Sequence, residues 1–64
     1  MLWIDTLDIA IELSEKHPEI NPLTINFVDL KNMVIGLDDF ADDEKKVNER
    51  ILEAIQMQWI DECS

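Results

Sequence analysis

Residues 37–61 constrain the fold most strongly, because they join a run of carboxylates to the clearest helical pattern in the chain. Between residues 47 and 59, apolar side chains recur at helical spacing, at Ile51, Leu52, Ile55 and Trp59. Such spacing is typical of an amphipathic helix that buries one stripe. The sequence therefore predicts a long helix, over about residues 47–62, that directly follows an acidic segment.

This acidic segment, residues 38–44, contains five carboxylates and one aromatic side chain, Phe40. We call it the acidic loop. Carboxylates near a helix N-terminus are stabilised by the helix dipole, and Asp43 is the predicted N-cap of the long helix. The loop is thus either a well-capped helix start in solvent or a carboxylate surface that binds a cation or a basic protein. Capping alone does not require Asp38 or Asp39.

An earlier helix is predicted over residues 7–16, with Thr6 as its N-cap. Its inner stripe consists of Ile9, Ala10 and Leu13. Leu7 and Ile11 lie beside that stripe and could face either the core or the solvent. Pro18 ends this helix, because a proline disfavours helical backbone in the residue before it.

A second helix is predicted over residues 30–37, with Asp29 as its N-cap. Its apolar stripe consists of Leu30, Met33, Val34 and Leu37. Before it, residues 23–27 alternate apolar and polar side chains and are rich in β-formers, which predicts a short strand. A strand needs a partner, and the sequence does not identify one. We therefore expect a mainly α fold, a single domain over residues 1–64 with three helices and a short β element.

Length and charge limit the function of the chain. It has 64 residues, enough for one small domain, with 15 acidic and 5 basic side chains and a net charge of −10. Such a surface repels nucleic acids and anionic membranes, and it favours metal cations and basic proteins. The single cysteine, Cys63, excludes an internal disulfide. No signal peptide or bilayer-spanning stretch is apparent, so we expect a cytoplasmic protein.

The acidic residues fit no familiar metal-binding or catalytic motif. If Asp38 is aligned with position 1 of an EF-hand calcium loop, Phe40 falls where an oxygen ligand is required and Asp43 where glycine is required. A looser site of carboxylate ligands stays open, and Glu49 and Glu53, four residues apart on a helix, could share a cation. Alternatively, these two acids form a solvated helix face. Enzyme signals, such as a phosphate-binding glycine-rich loop, are absent.

Four stretches of the chain resemble the motifs of one known family. Trp-Ile-Asp at residues 3–5 resembles an N-terminal Trp-x-Asp, and Pro-Leu-Thr-Ile-Asn-Phe at residues 22–27 resembles Pro-x-Thr-Val-x-Phe. Leu-Asp-Asp-Phe-Ala-Asp-Asp at residues 37–43 resembles Leu-x-Asp-Phe-x-Asp-Asp. Asn-Glu-Arg-Ile-Leu-Glu-Ala-Ile at residues 48–55, followed by Trp-Ile-Asp-Glu, resembles a C-terminal pattern. Over essentially its whole length, the sequence therefore resembles the IscX family, small acidic proteins of bacterial iron–sulfur cluster assembly.

The resemblance implies a modified winged-helix fold and a role as an adaptor, regulator or iron donor, not as a catalyst. It implies that the protein binds a basic surface on the cysteine desulfurase of the assembly machinery. It also implies weak binding of ferrous iron through surface acids, and competition or cooperation with the frataxin homologue.

We therefore predict a non-enzymatic, monomeric adaptor without a tightly bound cofactor. The predicted partner-binding residues are Trp3, Asp5, Asp38, Asp39, Phe40, Asp42 and Asp43. The predicted ligands of weakly bound ferrous iron are Asp38, Asp39, Asp42, Asp43, Glu49 and Glu53. Trp3 and Asp5 belong to the prediction provided that the N-terminus packs beside the acidic loop. The alternative is an acidic interaction module on a winged-helix frame, a DNA mimic or transcriptional regulator, with no role in iron chemistry.

Overall fold

The computed structural model describes residues 1–63, which form three α-helices and a single turn of 3-10 helix, with no strand among them. The helices are α1 (Thr6–Lys16), α2 (Phe27–Ile35) and α3 (Glu49–Cys63), and the 3-10 turn is Glu44–Lys46. The main helix pair is α1 with α3, and α2 packs less extensively against both. The predicted mainly α, three-helix fold is confirmed.

Helix α1 buries the predicted stripe, since Ile9, Ala10 and Leu13 are all inaccessible to solvent. The predicted N-cap is wrong by one residue, because Thr6 is the first helical residue and Asp5 occupies the cap position. The solvent-facing side of the helix carries Leu7, which is exposed, and Ile11, which is half-buried. The apolar spacing left the orientation of these two side chains open, and the structure places both on the solvent-facing side of α1.

The strand predicted over residues 23–27 is wrong, because asparagine side chains on either side bind the backbone locally. The side-chain oxygen of Asn21 accepts the Leu23 N–H at 2.9 Å and forms a turn, while that of Asn26 accepts the Asp29 N–H at 2.8 Å and starts a helix. Such local bonds compete with a strand ladder. Residues 1–63 contain no strand that could form a wing, so the winged-helix fold is not supported. The alternative prediction, an acidic interaction module on a winged-helix frame, therefore lacks the fold on which it was based.

Helix α2 therefore begins at Phe27, three residues earlier than predicted, and its N-cap is Asn26 rather than Asp29. The Asn26 side-chain amide also donates to Asp29 Oδ2 at 3.1 Å, so the two side chains support each other at the start of the helix. Leu30 and Val34 are fully buried, as the apolar spacing predicted. 

Helix α3 begins at Glu49, where the Asn48 side-chain oxygen accepts the Ile51 N–H at 2.9 Å. The prediction that Asp43 caps this helix is wrong, since its carboxylate accepts the Lys45 N–H at 2.9 Å and caps the 3-10 turn instead. The acidic loop is therefore separated from α3 and does not serve as the start of that helix.

Apolar side chains from all three helices and from the N-terminus form a single core. Its buried members are Trp3, Ile9, Ala10, Leu13, Leu30, Val34, Leu37, Leu52, Ile55 and Trp59. The connection between α1 and α2 is tied to α3 by the Gln56 side-chain amide, which donates to the Pro22 carbonyl oxygen at 2.8 Å. None of the helices in residues 1–63 has the length and apolar character needed to cross a bilayer.

Candidate functional site

The N-terminal segment, residues 1–5, lies against the acidic loop and binds it through main-chain hydrogen bonds. The Met1 amino group donates to the Asp39 carbonyl oxygen, and the Ala41 N–H donates to the Met1 carbonyl oxygen at 2.9 Å. These bonds pair backbone groups of two stretches that form neither helix nor strand. They join residues that are almost forty positions apart in the sequence.

Trp3 is the centre of this contact. Its side chain is only 1% exposed, and its indole N–H donates to the Asp43 carbonyl oxygen at 2.8 Å. The indole also meets the Phe40 ring edge-on, with ring centroids 4.8 Å apart and an interplanar angle of 69°. Such edge-to-face pairs add to the stabilisation from burial. Trp3 therefore joins the acidic loop to the core of the domain.

Asp42 uses both carboxylate oxygens to hold the loop in place. Its Oδ2 accepts the Trp3 N–H at 3.0 Å, and its Oδ1 accepts the Asp43 N–H at 2.7 Å. These two bonds, the one from Trp3 first, lower the pKa of Asp42 below its ordinary value, and the positive charges of Lys46 and the N-terminus act in the same direction. Asp42 is thus an ionised positioning residue within the loop.

Other carboxylates of the acidic loop remain available to solvent. The side chain of Asp38 is 93% exposed, and Asp39 is exposed and has neither an ion pair nor a side-chain hydrogen bond within residues 1–63. Lys16 lies between Glu12 and Asp38, with its Nζ 3.8 Å and 3.7 Å from their carboxylate oxygens. Exposed pairs of this kind contribute little stability. The loop backbone is therefore held by hydrogen bonds, while the Asp38 and Asp39 carboxylates are exposed.

The structure does not gather the predicted iron ligands into a built metal site. Within residues 1–63, no group of three or more histidine, cysteine, aspartate or glutamate side chains is placed to hold one ion. Oxygen atoms of Asp42 and Asp43 are already engaged by backbone N–H groups. Glu49 and Glu53 are exposed on α3, outside the acidic loop. The geometry does not fit a multidentate iron centre.

The N-terminus does pack beside the acidic loop, which is the condition under which Trp3 and Asp5 were included as partner-binding candidates. The two residues differ in exposure, since Trp3 is buried whereas Asp5 is half-buried with Oδ2 accepting the Leu2 N–H at 2.9 Å. Phe40 is half-buried against Trp3. In this conformation Trp3 and Phe40 support the loop, while the exposed carboxylates beside them are accessible to a partner.

Sequence reasoning missed two residues that shape this site. Met1 supplies two of the bonds to the loop, and Lys16, on α1, lies next to Asp38. No local pattern predicts either contact, because each joins positions far apart in the chain. The only available signal was Trp3, since a large aromatic side chain in an otherwise short N-terminal stretch needs a place to be buried.

Two sequence comparisons with known proteins identify the family of this chain. The sequence model of the family described as Iron-sulphur cluster assembly matches residues 1–64, the whole chain. An uncharacterised protein of Pseudomonas aeruginosa is 50% identical over 60 residues, which cover 94% of this chain and 91% of that protein. The chain therefore belongs to the iron–sulfur cluster assembly family that its sequence motifs resemble, the IscX family, and takes part in that machinery.

Proposed function

We propose that this protein is a non-catalytic adaptor that docks on a basic surface of the cysteine desulfurase through its acidic loop. One observation carries the proposal: the loop backbone is held by the N-terminal segment, while the Asp38 and Asp39 carboxylates are exposed to solvent. A loop that is already ordered loses little conformational entropy on binding. Preorganised negative charge is therefore available for a positively charged partner.

Electrostatics favours a basic protein partner over other ligands. The net charge of −10 speeds encounter with a positive surface and repels nucleic acids. The chain belongs to a family of iron–sulfur cluster assembly. The resemblance of its motifs to that family implies binding to the cysteine desulfurase, which is therefore the partner to test. The frataxin homologue, if it uses the same basic surface, competes with this chain for it.

An adaptor role also agrees with the burial pattern. No polar or charged residue is buried in residues 1–63. General acid–base catalysis by carboxylates relies on sheltered groups whose pKa values are pushed apart. The Asp42 carboxylate, whose pKa is lowered, has its oxygens bound to backbone N–H groups rather than placed in a sheltered pocket.

The test measures affinity for the purified cysteine desulfurase in a double charge reversal, Asp38→Lys with Asp39→Lys. A matched control reverses Glu53 and Glu62 on α3, which are also exposed and change the net charge by the same amount. We expect the loop variant to bind at least about tenfold more weakly at low salt, because it loses specific charge pairs. The control should lose only the smaller, long-range part of the attraction.

The salt dependence completes this test. The difference in affinity between the wild type and the Asp38/Asp39 variant should shrink as ionic strength rises, since salt screens exposed charges. Equal losses in the loop and control variants would show that only total charge matters and would remove the acidic loop from the interface. An absence of binding by the wild type would contradict the proposed function itself.

Weak binding of ferrous iron stays a prediction of the family resemblance, and the adaptor proposal does not depend on it. Carboxylates are suitable ligands for this ion, but the absence of a gathered ligand set in residues 1–63 leaves one or two carboxylates and water to supply the coordination. Anaerobic titration with ferrous iron should therefore perturb amide signals near Asp38 and Asp39 only at a large excess of metal. Saturation at one equivalent would contradict this expectation.

A further inference from the structure

Exposed apolar side chains are concentrated at the N-terminus, next to the acidic loop. Of the six large apolar residues that are clearly exposed in residues 1–63, three lie within the first seven positions: Leu2 at 45%, Ile4 at 74% and Leu7 at 48%. We call these three residues the N-terminal apolar surface. The backbone beneath it is held by the bonds from Met1 and Trp3 to the loop. Exposed apolar side chains that form a patch rimmed by polar residues are typical of protein-interaction sites.

A shallow groove connects the acidic loop with the outer side of α1. It has a volume of about 260 Å³ and is lined by Met1, Asp8, Ile11, Glu12 and Asp39. Two of these side chains are apolar and three carry carboxylates. Glu12 already contacts Lys16, whereas Asp8 and Asp39 have no ion pair within residues 1–63. On α1, Ile11 lies one turn after Leu7, so the groove adjoins the N-terminal apolar surface.

This combination of apolar and acidic groups suits one kind of occupant. The side chain of arginine or lysine has an apolar stem and a cationic head, and it is best accommodated where apolar surface lies beside a carboxylate. Met1 and Ile11 can contact the stem, while Asp8 and Asp39 can pair with the head. The exposed Ile4 and Leu7 can then contact an apolar side chain of the same partner segment.

We infer that the N-terminal apolar surface, together with this groove, is a second half of the docking surface, and that it takes a basic partner segment in which an apolar side chain stands beside an arginine or lysine. The inference rests on the proposed function, because it assigns the same partner to an adjoining surface. The two halves act differently on binding. Exposed carboxylates mainly raise the association rate, whereas buried apolar contacts mainly slow dissociation.

The experiment compares affinities and dissociation rates for the purified cysteine desulfurase at low and high ionic strength. The test variant carries Ile4→Ala and Leu7→Ala. Its matched control carries Val28→Ala and Met57→Ala, which shorten two apolar side chains that are 71% and 58% exposed on α2 and α3. We expect the test variant to bind roughly tenfold more weakly at both salt concentrations, through faster dissociation, and the control to bind like the wild type.

The possible outcomes separate this inference from the proposed function. If the Ile4/Leu7 variant binds like the wild type while the Asp38/Asp39 reversal binds weakly, the inference is overturned and the proposed function stands. If the wild type does not bind, both fail. If the wild type forms a dimer in sedimentation experiments and the Ile4/Leu7 variant is a monomer, the apolar surface serves self-association, which also overturns the inference. Circular dichroism checks that both double variants keep their helices.

Discussion

The two tryptophans of this small domain are almost equally buried but serve different regions. Trp59 is fully buried in α3, within the core shared by the helices, and its indole N–H has no hydrogen-bond partner among residues 1–63. Trp3 is 1% exposed in a non-helical segment, and its indole N–H donates to the Asp43 carbonyl oxygen. One ring holds helices together by packing, and the other positions the acidic loop by packing and hydrogen bonding.

The comparison shows that burial alone does not reveal what a side chain does. Removing Trp59 should affect every helix, since α1 and α3 form the main pair of the fold. Removing Trp3 should release the N-terminal segment and the acidic loop, which are anchored through it, and leave the helix pair in place. Although Trp3 also belongs to the core, we expect the contact that holds the proposed binding surface to be lost without loss of the α1–α3 pair.

The largest effect is expected from Trp59→Ala. Truncation of a buried tryptophan costs about 3–5 kcal/mol, which is a large share of the stability of a domain this small. Urea unfolding followed by far-ultraviolet circular dichroism should show a much lower midpoint. Trp3→Ala should keep the helical signal in the absence of urea but lose amide exchange protection in the acidic loop. Loss of helical signal in Trp3→Ala would show that the two regions are not separable.

A smaller and more specific effect is expected from replacing each tryptophan with phenylalanine. Both changes remove a similar ring volume from a buried site, but only Trp3→Phe also removes a hydrogen bond. Trp3→Phe should therefore be more destabilising than Trp59→Phe by about 1 kcal/mol. The measurement is the free energy of unfolding of both variants at one pH. Equal losses would mean that a bound water satisfies the Trp59 indole.

The hydrogen bond from the Trp3 N–H to Asp42 can be tested through pH. The backbone hydrogen bonds from Trp3 and Asp43 lower the pKa of Asp42 below its ordinary value of 3.8. The stabilisation by ionised Asp42 is therefore complete above that value. Asp42→Asn should be less stable than the wild type at neutral pH. The difference should shrink as pH falls below 3.8 and through the lowered pKa, where the wild-type carboxylate becomes protonated.

Thermal unfolding of both proteins from neutral to acidic pH measures this difference. Comparison with Asp42→Asn cancels the general gain in stability that protonation of the other acids brings by reducing repulsion. As a control, Asp39→Asn changes a carboxylate that has no side-chain hydrogen bond in residues 1–63. A pH profile of Asp42→Asn parallel to that of the wild type would show that Asp42 does not hold the loop.

The smallest effect is expected from Lys16→Gln. This change removes the contacts of Lys16 with Asp38, which is exposed, and with Glu12, which is half-buried, both at nearly 4 Å. Such pairs contribute less than about 0.5 kcal/mol, and salt weakens them further. Exchange protection in the acidic loop should be unchanged. A loss comparable with that of Trp3→Phe would show that this ion pair, rather than the indole, positions the loop.

Helical periodicity predicted the core well, because the information is local. The spacing of Ile9 with Leu13, and of Ile55 with Trp59, placed all four residues correctly inside. Alternation at Leu23 and Ile25 failed, since it describes apolar spacing but not the hydrogen bonds that Asn21 makes to the backbone. Polar side chains that bind nearby N–H groups determined the structure there.

The candidate site was only partly predictable. The sequence showed the carboxylates of the acidic loop and a large aromatic side chain, Trp3, near the N-terminus. It did not show that the Trp3 indole contacts the Asp43 carbonyl, because the two residues are 40 positions apart. No local pattern encodes such a contact. The exposure of Ile4 and Leu7 could not be predicted either. Apolar residues are expected to be buried, and only the structure shows that the core is filled without these two side chains.

The bonds to Met1 and to the Trp3 indole reach the acidic loop at its main-chain atoms: the carbonyl oxygens of Asp39 and Asp43 and the N–H of Ala41. Every amino acid except proline offers the same atoms. The side chains at positions 38 and 39 can therefore diverge in evolution, or be redesigned, without a change in loop shape. A relative could exchange these acids for amides or hydroxyls and acquire a different partner on an unaltered scaffold.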